Sequence, residues 1–264
     1  MDLGLKEKVV MVAASSKGLG FGIALEAARE GAILSMGSRN QKNLKAAAEE
    51  IEKQIPGARI VTSQLDVAEA GSIEDWVNYT LKELGSIDCM VVNGGGPPPG
   101  TFDETNDRNW ETGFQNTLMS AVRLTRSVLP EMRRKKLGSI LTITSSSIKE
   151  PIDNLILSNV FRSGVTSLVK SLSFHLAADN IRINNLVPGF FDTDRLKDLD
   201  LRNSREWRIS VENVRKINFD NIPMGRYGDP EEFGKAAVFL LSGAASYVTG
   251  ETVIIDGGKM RTVW

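Results

Sequence analysis

The stretch VVMVAASSKGLGFG, residues 9–22, decides how the rest of the chain is organised. Val9, Val10, Met11, Val12 and Ala13 form a short unbroken apolar run, which predicts a strand covered on both faces rather than a half-exposed one. Gly18, Gly20 and Gly22 follow within one turn. Glycines there let the backbone approach a bulky anion. The unpaired N–H groups that open the next helix point at that anion with the positive end of the helix dipole. The implied ligand is a nucleotide pyrophosphate, although glycine-rich turns also occur with no ligand.

The 264 residues include 32 Lys and Arg against 33 Asp and Glu, a net charge of −1. This balance carries no electrostatic signature of nucleic acid or membrane binding. No composition break divides the chain, so residues 1–264 are expected to form a single domain. The one dense basic run, Arg133 to Lys136, stands before Gly138 at an expected helix end. Cations there complement the helix dipole, which favours a solvated cap over a polyanion site. One cysteine, Cys89, and one histidine, His175, exclude an internal disulfide and argue against a His/Cys metal set, so no metal is expected. No apolar run is long enough to span a bilayer, and the expected location is cytoplasmic.

Beyond the opening turn, apolar runs alternate with helical patterns. Strands are expected at 32–36, 59–65, 87–92, 140–144, 182–187 and 252–255, and a helix starting near Ser72 turns Trp76, Val77 and Leu81 inward. A long helix is expected over Asn106 to Arg134 and another over Ser158 to Ala178. Between Asp192 and Asn221 the pattern becomes a charged amphipathic insertion with Trp207, Ile209, Val211, Val214 and Ile217 as its apolar face. Strands and helices at this spacing imply right-handed βαβ units. The fold class is therefore α/β, a Rossmann-like doubly wound parallel sheet that binds a nucleotide at the carboxyl ends of its strands.

The end of the second strand separates the two nicotinamide dinucleotides. An acidic residue there accepts from the 2′-hydroxyl of NAD and repels the 2′-phosphate of NADP. This chain has Gly37, Ser38, Arg39 and Asn40 instead, with no carboxylate. Arg39 and Ser38 can donate to a phosphate, and Lys17 in the glycine turn adds a second cation nearby. NADP(H) is thus expected over NAD(H), the alternative being that both cations are ordinary surface charges. Asp66, after the third strand, either accepts from the adenine amino group or caps its own turn.

The order of motifs resembles the short-chain dehydrogenase/reductase family over essentially the whole chain. AASSKGLG, residues 13–20, is similar to the family's TGxxxGIG turn, with Ala13 and Ala14 where threonine and the first glycine usually stand. Asn93 to Gly96 resembles NNAG, Asn116 the helix asparagine that holds an ordered water, and Ser145 the active-site serine. Pro188, Gly189 and Thr193 resemble the segment that covers the nicotinamide, and Asp256, Gly257 and Gly258 the C-terminal strand signature. Within the family the chain looks most like 3-oxoacyl-carrier-protein reductases. The resemblance implies that the dinucleotide is held by Ala14, Ser16, Lys17, Gly18, Leu19, Gly20, Ser38, Arg39, Asp66, Val67, Asn93, Gly94, Gly95, Arg162, Pro188, Gly189 and Thr193. It implies a small-molecule carbonyl or alcohol substrate and a homo-oligomer that pairs the two long helices. The terminal residues Met260 to Trp264 could pack across such an interface, lie loose, or pack within their own subunit.

The departure lies in the catalytic pair. The family places a tyrosine thirteen residues after the serine and a lysine four residues further on; here those positions are Ser158 and Arg162. A phenol, near 10 unperturbed, can be lowered by a neighbouring ammonium until it serves as an acid; an aliphatic hydroxyl cannot be brought there so easily. Ser158 can donate a hydrogen bond but is a poor acid, and Arg162 keeps a positive charge without passing on a proton. The chain's tyrosines are Tyr79, Tyr227 and Tyr247, none in the serine-to-helix segment. Lys149, on the loop after Ser145, is a candidate proton donor, or else a solvated charge. Two functions follow: an NADP(H)-dependent carbonyl reductase with a non-standard proton route, or a nucleotide-binding sensor or partner protein that has lost the chemistry. In the first, the 192–221 insertion roofs a partly apolar substrate; otherwise its side chains simply pack on the body of the domain.

Overall fold

Val9–Ala13 forms strand β1, and all its residues are buried. In the computed structural model, which describes residues 2–263, its neighbours in chain order are α1 (Gly18–Arg29), β2 (Ile33–Ser38), α2 (Gln41–Gln54), β3 (Ile60–Gln64), α3 (Ala70–Leu84) and β4 (Cys89–Val92). Then come α4 (Asp107–Gly113), a π-helical segment (Phe114–Met119), α5 (Ser120–Lys135), β5 (Gly138–Ile143), α6 (Ile156–Leu176) and β6 (Ile181–Pro188). Helices α7 (Asp194–Trp207), α8 (Val211–Asp220) and α9 (Pro230–Leu241) precede β7 (Thr252–Ile255).

The seven strands pair in the order β3-β2-β1-β4-β5-β6-β7, every pair parallel. The doubly wound sheet is thus present, with its order reversing between β1 and β4. Because side chains alternate along a strand, β1 feeds two cores. Val10 and Val12 join Ile23, Leu25, Leu44, Ile51 and Phe233 from α1, α2 and α9. Met11 and Ala13 join Trp76, Leu124, Val128, Val165 and Val169 from α3, α5 and α6. Cys89 is buried, and the loss of water pushes its thiol up to about 12, so it is an inert apolar filler.

Three expectations about elements need correction. The helix expected to start near Ser72 begins at Ala70, and the Ser72 hydroxyl instead accepts from the Asp66 amide at 2.9 Å. The long helix expected over 106–134 contains the π-helical turn of Phe114–Met119. The insertion is two helices, α7 and α8, and of its expected apolar face Val214 is fully buried while Trp207 and Ile217 are 45% and 42% exposed. Leu196, Ile222 and Tyr227 complete the small core beneath the lid. Gly22 has a packing role: a Cβ there would lie 2.3 Å from the Pro230 carbonyl oxygen, so the glycine lets α1 and α9 meet closely. The basic run closes α5 as a paired helix end, with Arg133 on Asp179, Arg134 on Glu131 and Lys135 on the buried Asp88.

Arg182, on β6, ties three elements together. Its guanidinium donates to the carbonyls of Leu240, Leu241, Ser242 and Val248 and to the Ser139 hydroxyl, between 2.8 and 3.2 Å. Arg182→Met leaves these acceptors without a donor and is expected to lower urea-unfolding stability by on the order of 3 kcal/mol. A change under about 0.5 kcal/mol, the range of an ordinary surface substitution, would show that water replaces the guanidinium freely. At the start of α9, Glu232 accepts two 2.7 Å bonds from Arg226 and closes a capping box with Asp229. The Arg226 bonds, then the Asp229 amide, hold its carboxyl down from 4.5 to about 2. A depressed carboxylate stabilises the fold above its unfolded value and loses that contribution as pH falls toward its folded one. Acid unfolding curves of the wild type should therefore steepen between about pH 4.5 and 2 relative to Glu232→Gln, which lacks this titration.

Candidate active site

The carboxyl end of β1 turns through Ala14, whose φ is +50°, a left-handed conformation that a Cβ disfavours. The resemblance sets Ala14 where the family carries glycine, and the backbone keeps the glycine shape. The Asn93 side-chain amide, from the end of β4, donates to the carbonyls of Ala13 and Ala14 at 3.2 and 3.5 Å. A Cβ on Gly20 would lie 2.3 Å from the Ala14 oxygen, so α1 can start this close to the turn only with glycine there. Lys17, the N-cap of α1, supplies no side-chain cap, and the first turn has no acidic residue. The opening amides of Gly18, Leu19 and Gly20 can therefore take an external anion.

Around this turn the other expected cofactor residues gather, though not all with free side chains. Ser38 donates to Ser16 at 2.9 Å, and Arg39 is exposed beside them. Lys17 shares its charge with Asp194 of α7 at 3.4 Å. Thr193 caps α7 by accepting from the Leu196 amide, and its methyl lies 3.5 Å from the position of a Cβ on Gly18. Asp66 accepts from the Ala68 amide at 3.0 Å, the turn-capping arrangement, through one of its two oxygens. Val67 packs against the α3/α5/α6 core, and around Gly95 nothing lies within 4 Å of a Cβ position. Val67 is also the nearest side chain to Gly94, 3.7 Å from a Cβ there. Pro188 ends β6, and Gly189 passes so close to Asp256 that a Cβ would approach it to 2.5 Å.

The chemistry-bearing residues lie at the ends of β5 and α6. Ser145 accepts from the Ser147 amide at 3.2 Å and is half-buried, which leaves its O–H free to donate outward. Ser158 is buried, with its hydroxyl 3.3 Å from that of Ser147. Arg162 donates to the carbonyls of Ile143 and Thr144, both at 2.9 Å, so β5 itself holds the guanidinium. Loss of water, then the charge of Arg195, push Arg162 down to about 10; it remains a cation at neutral pH. Lys149 ends the 3-10 turn of Ser146–Ile148 and is half-buried.

Asn116 sits in the π-helical turn, with its amide on the Thr112 carbonyl and its own carbonyl accepting from Ser120. Beside it, a partly open cavity of about 20 Å³ is lined by Asn93, Asn116, Thr117, Thr144 and Arg162, room for a single water. The buried Thr117 hydroxyl faces it with no hydrogen-bond partner among the described residues. Tyr227 cannot stand in for the missing phenol. It donates to the buried Asp200 at 3.0 Å inside the lid, and loss of water pushes it up to about 12. Sequence reasoning missed Ser147, Thr117 and Arg195. Thr117 and Arg195 are one and two residues from Asn116 and Thr193, but nothing in their types marks them out.

The strain at Ala14 can be measured. Ala14→Gly is expected to raise unfolding stability by up to about 1 kcal/mol, since the gain from relieving a left-handed Cβ outweighs glycine's entropy cost. A loss of stability in urea would contradict that.

Residues 13–259 match the enoyl-(acyl carrier protein) reductase family. The 3-oxoacyl-(acyl-carrier-protein) reductase FabG of Chlamydia muridarum is 30% identical over 258 residues, 98% of this chain and 99% of that protein. L-sorbose reductase from Gluconobacter frateurii, solved with NADPH and L-sorbose, superposes with a TM-score of 0.94 at 29% identity over the whole of both chains. A short-chain oxidoreductase from Pseudomonas aeruginosa PAO1, solved with NADPH and described as containing an atypical catalytic center, superposes with a TM-score of 0.89 at 27% identity, over 98% of this chain and 99% of that one. On its sheet order, the turn after β1 and these likenesses, the chain belongs to the short-chain dehydrogenase/reductase family.

Proposed function

We propose that this protein is an NADPH-dependent reductase of a small-molecule carbonyl, working through a fixed guanidinium where its family uses a tyrosine and a lysine. The observation that carries this is Arg162. It occupies the lysine position of the motif, is anchored by two carbonyls at the end of β5, and turns its second nitrogen toward Gly96. A residue retained only for packing has no need of a charge held away from water.

The residues around the turn fit NADP(H). The uncapped start of α1 suits the pyrophosphate; Ser16, Ser38 and Arg39, with no carboxylate beside them, suit a 2′-phosphate. Bound there, the dinucleotide would supply a hydride to the carbonyl carbon. Ser145 donates to the carbonyl oxygen, Arg162 stabilises the negative charge that develops there, and the proton comes from the Lys149 ammonium or from water. An NADPH-bound relative described as having an atypical catalytic center supports retained cofactor binding in such a site. The burial of Ser158 against Ser147 favours the second reading, a nucleotide-binding sensor or partner protein.

Among the described residues no helix is long and apolar enough to cross a membrane. Assembly into a homo-oligomer through α5 and α6 is supported by the exposed Val160 and Phe174 on α6. Of the terminal segment, Val263 is exposed, and Trp264 lies outside the described residues.

NADPH oxidation by the purified chain against ketones, β-ketoacyl thioesters and quinones tests the reading. Turnover is expected with at least one class, and Lys149→Met lowers it by about 100-fold if the ammonium is the acid. Tight NADPH binding with no turnover, restored by Ser158→Tyr with Arg162→Lys, would instead establish the sensor reading.

A further inference from the structure

Past the end of β4, Gly96 lies under two guanidiniums. The terminal nitrogens of Arg195 lie 2.7 and 2.9 Å from the position a Cβ on Gly96 would take, and one of Arg162 lies 3.2 Å from the same point. Any larger residue would drive them apart. Arg195 comes from α7 of the lid and Arg162 from α6 of the body, so the pair spans the mouth of the site. Like charges this close repel, and Arg202, about two turns further along α7, adds to the field at Arg195.

Other charges around the lid are paired. Lys17 lies on Asp194, while Lys197 and Arg215 lie on Asp192. By contrast, among the described residues no carboxylate lies within 4.0 Å of Arg162, Arg195 or Arg202. Loss of water pushes both Arg162 and Arg195 below the usual guanidinium value, with the charge of Arg195 adding at Arg162 and that of Arg202 at Arg195, the sign of cations lacking a counter-ion. Guanidinium forks suit the planar or tetrahedral oxygens of carboxylate and phosphate better than a neutral ketone.

We propose that Arg162 and Arg195 clamp an anionic oxygen group, a carboxylate or phosphate, carried by the substrate, so that oxo acids or oxo phosphate esters are taken in preference to neutral ketones. The proposal rests on the reading of this site as a reductase site. An anion entering between the two arginines draws the lid helix α7 toward α6, so the same contact selects the substrate and closes the site over it. The dinucleotide's own phosphates are the other source of such oxygens, but the uncapped amides of Gly18, Leu19 and Gly20 already offer them a place on α1.

The test is calorimetric and needs no turnover. The full chain is titrated with NADPH, and then, saturated with NADP+ or free of it, with acetoacetate, inorganic phosphate and the neutral methyl acetoacetate. Wild type is compared with Arg195→Met and Arg195→Lys, each checked for an unchanged unfolding midpoint. Acetoacetate or phosphate is expected to bind the NADP+-saturated chain at least about tenfold more tightly than the ester. Arg195→Met should abolish that preference and Arg195→Lys keep part of it, both with NADPH affinity intact. Equal binding of acid and ester by the wild type overturns the proposal. So does a loss of NADPH affinity in Arg195→Met with anion binding unchanged, which would assign the pair to the dinucleotide. Failure of all variants and the wild type to bind NADPH, with Arg195-dependent anion binding in the cofactor-free chain, would sink the reductase reading and leave the clamp standing.

Discussion

The structure depends on one constraint, the parallel pairing of β1 with β2 on one side and β4 on the other. Parallel strands put all their carboxyl ends at one edge of the sheet. Where the strand order reverses, the turns after β1 and β4 diverge to opposite faces and leave a crevice that no connection fills. The Asn93 amide bridges that crevice by bonding to the carbonyls of Ala13 and Ala14. Every residue assigned a role lies within a turn or two of this edge or on the lid above it. A slip in the β1 register would exchange Val10 and Val12 with Met11 and Ala13 between the two cores, so the packing on both faces holds the crevice in place.

Charge, more than shape, gives the site its character. A lysine in the Arg162 position would be a point charge on a flexible stem; the guanidinium instead uses one nitrogen on two β5 carbonyls and has others to spare. The same anchoring removes it as a proton carrier. Tyr227, the one buried phenol, is spent on Asp200 and Asn218 in the lid core. The site therefore holds strong hydrogen-bond donors and fixed cations but few acids near neutrality, an arrangement that stabilises an oxyanion more readily than it protonates one.

The lid is fastened unevenly. Beneath it, Leu196, Ile222 and Tyr227 form a small apolar core, with Asp200 buried among hydrogen bonds. At the glycine turn the fastening is the Lys17–Asp194 pair, exposed on both sides and so worth little. Arg195 lies one residue beyond Asp194, on the side of the lid that faces the glycine turn.

Much of the fold was legible in the residues. Unbroken apolar runs such as Val9–Ala13 and Cys89–Val92 belong to strands buried on both faces, and the glycine turn, Asn93 and Ser145 have fixed places along such a chain. These are local properties, set by burial period and backbone conformation, and they survive in a linear reading. The π-helical turn at Asn116, the exposure of Trp207 and Ile217, and the pairing of Ser158 with Ser147 were not legible. Each depends on what a neighbouring element presses against. By itself the sequence determined the parallel sheet and the nucleotide-type turn, and its resemblance to the family set Ser158 and Arg162 where a tyrosine and a lysine are expected. Only the tertiary structure decided that Arg195 meets Arg162 over Gly96, because that contact joins residues far apart along the chain and no local pattern encodes the approach of one charge to another across a lid.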